Sequence, residues 1–277
     1  MNPVTRAYVT LVTNADYGRG ALALARSLRQ AGAAHPLVVL ASENAGFLDE
    51  LAAEGCRIVE TARPELSAGF LERHSRRHQH KVAPFTKGEK PAFHDPLDNF
   101  CKLRLWQMED YHKIVFIDAD AIVLKNVDRL FDYPAFVAAP NLYETINDFD
   151  RMNAGVFVAE PGPATYQAML AELDQPERFW RRTDQTFLEH FFPDWHGLPY
   201  TFNVLQYVFF NLPELWRWPD LKILHYQYEK PWQAGHGKSD KLKPLIDLWW
   251  QVFEGGAIPA DLPSPFAGAA KRPGPCK

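Results

Sequence analysis

Short apolar runs alternate with amphipathic stretches over the first sixty residues of the chain. Ala7–Thr13 (AYVTLVT) is rich in β-branched and aromatic residues, which predicts a strand. After the turn-like Asn14–Gly18, the run GALALARSLRQAG sets leucines at 22, 24 and 28 among helix formers and stops at Gly32, which predicts a helix. Leu37–Ala41 (LVVLA) is apolar throughout, the pattern of a strand buried on both faces. Asn44–Gly55 reads as a second helix and Arg57–Glu60 as a third strand. This β-α-β-α-β order predicts a mostly parallel central sheet with right-handed crossovers. In such sheets ligands gather at the carboxyl ends of the strands.

The pattern breaks at Leu71–Lys90, where Arg73, His74, Arg76, Arg77, His78, His80, Lys81, Lys87 and Lys90 leave almost no apolar periodicity. It reads either as a solvated loop or as a lid over an anionic diphosphate. Further on, a helix is predicted over Phe100–Tyr111 and a strand over Lys113–Ile117 (KIVFI). A strand follows at Gly155–Ala159, with helices at Pro163–Leu173 and Asp184–Phe191. A short strand at Lys222–His225 and an amphipathic helix at Leu242–Phe253 complete the pattern. The Pro/Gly/Ala-rich tail is expected to fray. The organisation is therefore one α/β domain over residues 1–255 and a tail over 256–277.

Composition narrows the function. With 277 residues, 47% of them apolar, the chain is long enough for a single large core. A net charge of -4 argues against a nucleic-acid partner, whose phosphates call for a basic face. No apolar run reaches membrane-spanning length. The start, MNPVTRAYVTLVTN, has Thr, Arg and Asn where a secretion signal needs an apolar run, so a cytoplasmic protein is expected. Cys56, Cys101 and Cys276 form no CxxC pair, which argues against a zinc site or a disulfide framework.

The main chemical signal is Asp118-Ala119-Asp120, directly after KIVFI. Residues i and i+2 of an extended segment point the same way, so two carboxylates converge past a buried strand end. Carboxylate oxygens suit Mg²⁺ or Mn²⁺, ions that bridge the oxygens of a diphosphate and neutralise the charge of a departing nucleotide. The plainer alternative is that both acids cap the turn into Ala121–Val123. Phosphatases of the haloacid dehalogenase type also place DxD after an apolar strand. There it follows the first strand, and a Thr or Val is expected where Ile122 stands.

Several strings in order carry a resemblance: AYVTLVTNADYGRGALALARSL, NFCKLRLW, KIVFIDADAIVLKNVDRLFD, MNAGVFVAEPGPATY, TDQTFLEHFF, PYTFNV, HYQYEKPW and LWWQVF. Together they resemble the family-eight retaining glycosyltransferases, glycogenin and galactinol synthase among them, from about Ala7 to Phe253. The resemblance implies a GT-A type, Rossmann-like nucleotide-binding fold. It also implies metal-dependent transfer of a hexose from a UDP-sugar (UDP-glucose or UDP-galactose) to a polyol, sugar or glycan, and it leaves a homodimer open.

By the same resemblance, Leu11, Thr13, Asn14 and Tyr17 hold uracil and ribose. Asp118, Asp120 and His225 bind Mn²⁺ or Mg²⁺, Ala119 lies near the ribose, and Lys230 meets the diphosphate. Lys102, Asn153, Ala154, Asp184 and Gln185 surround the donor sugar, with Asp184 stabilising or attacking the anomeric carbon. Three departures bear on the carry-over. Tyr228 stands in the region where glycogenin has a Gly, so a different local backbone is expected around Lys230. Phe210 occupies the position of the self-glucosylated tyrosine, with Tyr207 and Tyr200 nearby. Arg181 replaces the first acid of a DGGDQ motif. A self-priming protein and a silent UDP-sugar-binding protein are the rival readings.

Overall fold

The computed structural model describes residues 5–74, 91–175 and 183–266. The basic-loop expectation for residues 75–90, the Arg181 substitution and the tail residues 267–277 lie outside them.

Ten strands lie among the described residues. They are β1 (Arg6–Val12), β2 (Leu37–Ala41), β3 (Arg57–Glu60), β4 (Lys113–Ile117), β5 (Ala121–Val123), β6 (Val137–Pro140), β7 (Met152–Ala159), β8 (His196–Gly197), β9 (Val204–Leu205) and β10 (Ile223–His225). Seven form a sheet in the order β3-β2-β1-β4-β7-β6-β8, and a smaller sheet runs β5-β10-β9. In the main sheet β1 pairs parallel with both β2 and β4, whereas β7 runs antiparallel to β4 and β6. The sheet is thus mostly parallel. The chain goes to opposite sides of β1 to make β2 and β4, so a switch-point crevice opens beyond the carboxyl ends of β1 and β4.

The helices are α1 (Ala15–Gln30), α2 (Leu48–Ala53), α3 (Ala68–Arg73), α4 (Pro163–Leu173), α5 (Asp184–Phe191), α6 (Val208–Asn211) and α7 (Ser239–Phe253). β1 is buried on both faces, as a central parallel strand must be. Ala7, Val9 and Leu11 join one cluster with Trp106, Phe116 and Phe157. Tyr8 and Val12 join a second with Leu24 and Leu28 of α1. A third cluster fills the space between the small sheet and α7 around Trp249.

Three expectations need correction. Asp98–Gln107 is a 3-10 helix rather than an α-helix; Phe100, Cys101, Lys102, Leu103, Leu105 and Trp106 are all buried, so packing on every side overrides the local pattern. Residues 71–74 are not solvated loop. They end α3, capped by Ser67 Oγ on Phe70 N, and buried His74 stacks on Phe70 with ring centroids 3.8 Å apart. The start of the tail does not fray. Trp216 Nε1 donates to Leu262 O (2.7 Å) and Trp218 Nε1 to Pro259 O (3.2 Å), while Ile258, Leu262 and Phe266 pack on the third cluster.

Candidate active site

The DxD segment bridges the two sheets. Asp118 leaves β4 with its N–H bonded to Gly155 O (2.8 Å), and Asp120 leads into β5 with its carbonyl accepting Tyr226 N–H (2.9 Å). Between them Ala119 is buried against α1. A Cβ added at Gly20 would sit 2.5 Å from Ala119 O, so glycine is what lets the helix approach. A DxD after β4 and not β1 also removes the main feature of the dehalogenase-type alternative.

His225 ends β10, opposite Ala121 of β5. Its Nε2 lies 3.2 Å from Asp120 Oδ1 and 3.8 Å from Asp118 Oδ2. These three residues can each turn one ligand atom to a common point, the atoms all lying within 4.8 Å of one another. The other carboxylate oxygens are engaged elsewhere: Asp118 Oδ1 with Lys102 Nζ (3.1 Å) and Asp120 Oδ2 with Lys230 Nζ. Each acid therefore spends one oxygen on an ammonium and offers the other beside an imidazole. Two hard oxygens and one nitrogen suit a divalent ion such as Mn²⁺, so the donor set fits the implied metal.

The charges sort the acids. Burial works against ionisation of Asp120, but Lys230 and His225 outweigh it and hold its carboxyl below the usual range. Burial raises Asp118, Lys102 opposes, Asp120 adds to the rise, and the net shift is upward. Burial also disfavours the Lys102 ammonium, yet Asp118 and Asp184 prevail and raise its pKa. Lys102 Nζ spends its donors on Asp184 Oδ2 (2.7 Å), Asp118 Oδ1 and Ala154 O (3.1 Å).

Asp184 opens α5, where Thr183 caps the helix by accepting from Thr186 N–H (3.2 Å). Its second oxygen accepts from Asn99 Nδ2 (3.2 Å), so both oxygens are held from the protein side. Gln185 Oε1 accepts from Ala154 N–H (3.3 Å). One backbone residue, Ala154, is thereby gripped by Lys102 and Gln185.

At the end of β1, Asn14 Oδ1 caps α1 at Tyr17 N (3.1 Å) and Asn14 Nδ2 donates to Phe93 O (3.1 Å). Tyr17 OH meets His94 Nδ1 (2.8 Å), and Phe93 packs edge-on against the Tyr17 ring. Burial, then Asp120 and Asp118, push the Tyr17 hydroxyl well above its ordinary pKa, so it stays protonated. Lys230 Nζ lies 5.9 Å from the centre of the Tyr17 ring, which ties this end of the crevice to the acids. Thr13 is buried and its carbonyl accepts from Ser42 Oγ (2.9 Å). Leu11 gives its side chain to the core and faces Leu40 across the sheet.

Tyr228 adopts φ +69°, the left-handed region that favours glycine. It is held there between Tyr207 (centroids 5.9 Å, nearly parallel) and Tyr143 (5.8 Å). Beyond this turn Lys230 reaches Asp120.

The structure thus gathers Asn14, Tyr17, Lys102, Asp118, Ala119, Asp120, Ala154, Asp184, Gln185, His225 and Lys230 around one crevice. It also draws in residues the sequence reading did not single out: Asn99, Asn141, Asn203 and Gln227. Asn153 is only 1% exposed, and its amide bonds to Asn141, Asn203, Gln227 and Gly155. TFNV was visible as a motif, but nothing local showed that Asn203 faces a residue 22 positions later.

Comparison with known proteins agrees with this geometry. The family model for glycosyl transferase family 8 matches residues 8–235. UDP-glucuronate:xylan alpha-glucuronosyltransferase 1 of Arabidopsis thaliana is 33% identical over 94% of this chain, which spans 38% of that relative's length. Galactinol synthase 4 of the same plant is 29% identical over 94% of this chain and 86% of its own. Among solved structures, the glycosyltransferase GlyE of Streptococcus pneumoniae TIGR4 superposes with a TM-score of 0.61 at 16% identity, covering 90% of this chain and 60% of that one. The galactosyltransferase LgtC, in complex with donor and acceptor sugar analogs, gives 0.55 at 15% identity, covering 95% of this chain and 99% of that one. The fold is that of the GT-A glycosyltransferases, and the chain belongs to glycosyl transferase family 8.

Proposed function

We propose that the enzyme is a retaining, Mn²⁺-dependent hexosyltransferase that moves glucose or galactose from its UDP-sugar to a polyol, sugar or glycan. The observation that carries this reading is the convergence of Asp118 Oδ2, Asp120 Oδ1 and His225 Nε2 between two buried lysines, with Asp184 behind Lys102. A divalent cation bound there would offset the negative charge that develops on the departing diphosphate. Lys230 adds a point charge on the nucleotide side. Asn14 and Tyr17 line the uridine end. Both Asp184 oxygens are engaged, by Lys102 and Asn99, so Asp184 acts as a fixed negative charge facing the positive charge that builds at the anomeric carbon. Gln185, adjoining it, contacts the donor sugar.

Self-priming has less support. Tyr207 is buried, donates its hydroxyl to Glu229 Oε2 and accepts from Lys238 Nζ (2.7 Å), while Tyr200 OH is spent on Leu215 O (2.9 Å).

UDP release and mass spectrometry, run with UDP-glucose, UDP-galactose and UDP-glucuronate under Mn²⁺ or EDTA, test the reading. Asp120→Asn should reduce Mn²⁺-dependent UDP release on the order of 100-fold or more with the fold intact. Near-normal turnover of that variant would end the metal assignment. A ladder of hexose masses on the protein would restore self-priming, and turnover only with UDP-glucuronate would overturn the neutral-hexose reading.

A further inference from the structure

Which ring nitrogen of His225 is available to a cation depends on where the other holds its proton, and a run of buried amides decides that. Gly155 N–H lies 2.9 Å from Asn153 Oδ1. A backbone N–H only donates, so this contact fixes which end of the Asn153 amide is oxygen. Asn153 Nδ2 then donates to Asn141 Oδ1 (2.9 Å) and Gln227 Oε1 (3.2 Å), and Asn153 Oδ1 accepts a second bond, from Asn203 Nδ2 (2.9 Å). All four hydrogen-bonding capacities of the Asn153 side chain are used within the protein. With its nitrogen committed, Asn203 turns its Oδ1 to His225 Nδ1 at 2.9 Å. A carbonyl oxygen only accepts, so Nδ1 carries the proton and the Nε2 lone pair faces Asp118 Oδ2 and Asp120 Oδ1.

Space enforces the same arrangement. A Cβ at Gly155 would lie 2.3 Å from His225 Cε1, 2.6 Å from Nδ1 and 2.8 Å from Asn153 Oδ1. The imidazole therefore lies directly on the backbone of β7, with no room to swing. Asn153 and Asn203 are each 1% exposed and His225 is 2% exposed, so water does not compete for these bonds.

We infer that Asn203 is a positioning residue: it fixes the tautomer and ring plane of His225, and Asn153, oriented by the Gly155 backbone, in turn fixes Asn203. The inference rests on the reading of Asp118, Asp120 and His225 as a cation site. It gives Asn153 a part that is separate from contact with the donor sugar. A neutral amide does here what a carboxylate often does behind a metal-binding histidine.

Two measurements test it. In metal-free protein with ¹⁵N-labelled histidine, long-range ¹⁵N–¹H spectra should show a slowly exchanging proton on His225 Nδ1. It should be lost in Asn203→Leu. Titration with Mn²⁺ alone, reading the free aquo ion by EPR, should show affinity about 10–100-fold weaker in Asn203→Leu. A wild-type His225 with no proton on Nδ1 overturns the inference, whether or not the variant folds. So does a folded Asn203→Leu with unchanged Mn²⁺ affinity. Wild-type protein that binds no Mn²⁺ removes the cation reading itself, an outcome distinct from either.

Discussion

Replacing Lys102 with Met is the most informative perturbation of this site. Met keeps an unbranched apolar side chain and removes the ammonium, which lies 4.5 Å from the centre of the Phe116 ring. Lys102 is 3% exposed and holds Asp184, itself 5% exposed, together with the more open Asp118. Breaking a buried ion pair from one side costs about 3–5 kcal/mol, because the remaining charge keeps its burial and loses its partner. Water already reaches Asp118, so the lower part of that range applies. At about 2–4 °C per kcal/mol for a chain of this size, the midpoint should fall by about 6–12 °C. Burial already holds the Asp118 pKa above its unfolded value, and removing the ammonium takes away the charge that opposed the rise. The folded state then binds more protons, so stability falls as pH rises from about 4 through the raised value. The deficit should accordingly be smaller at pH 5 than at pH 8. Lys102→Met/Asp184→Asn should recover much of the loss, since a neutral amide needs no counter-charge. Differential scanning calorimetry in EDTA reads all of this without reference to activity. A midpoint within about 2 °C of wild type at pH 8 would refute the argument, as would a double variant no more stable than the single one.

Three further outcomes are expected. Thr183→Ala removes the cap next to Asp184 and should cost about 1 kcal/mol, read as about 2–4 °C in thermal unfolding, with a fall in kcat; unchanged kcat would detach the cap from catalysis. Deleting residues 257–277 strips Trp216 and Trp218 of their backbone acceptors and should lower the midpoint by at least about 4 °C with a red shift in tryptophan emission; an unshifted spectrum would count against the packed tail. Burial works against the Asp128 carboxylate, but bonds from Asn126, Tyr8 and the Ala34 backbone hold its pKa low. Its contribution is present above the unfolded pKa of about 4 and is lost as pH falls through the lower folded value. Asp128→Ala should therefore cost about 1–3 kcal/mol in urea unfolding at pH 7 and less at acid pH; an equal deficit at both would contradict the linkage.

How much could be read from the chain depended on distance along it. β1, β2 and β4 were legible because their buried runs are continuous, β3 from its Ile58-Val59 pair although it is an edge strand with no buried residue, and α4 and α5 because their bounds carry Pro163 and Thr183 as starts. Of the small sheet only β10 was legible, as the strand expected at Lys222–His225; β9 has two residues and is a strand only through its pairing with β10. The direction of β7 was also hidden, because a strand buried on both faces reads the same either way. Asp118 and Asp120 announced themselves through their spacing. His225 and Lys230 did not: their partners lie over a hundred positions upstream, and only the resemblance pointed to them. Asn203 had no local signal, because its meaning lies in what it faces. The left-handed Tyr228 shows the reverse limit, where a side chain that argues against a turn is overruled by the rings around it.

The division of the acids between two sheets also sets the order in which a growing chain can become an enzyme. By Ala159 the strands from β1 to β7 have all been made, and with them the crevice between β1 and β4. Asp118 and Asp120 are then in place as an acidic pair without histidine or a second lysine. His225 arrives with β10, which inserts between β5 and β9, and Lys230 closes on Asp120 from 110 residues away. Such long loops close late, after local structure has formed. During synthesis the N-terminal part can therefore fold as scaffold while remaining catalytically inert, and competence arrives in one step once β10 and Lys230 have been made.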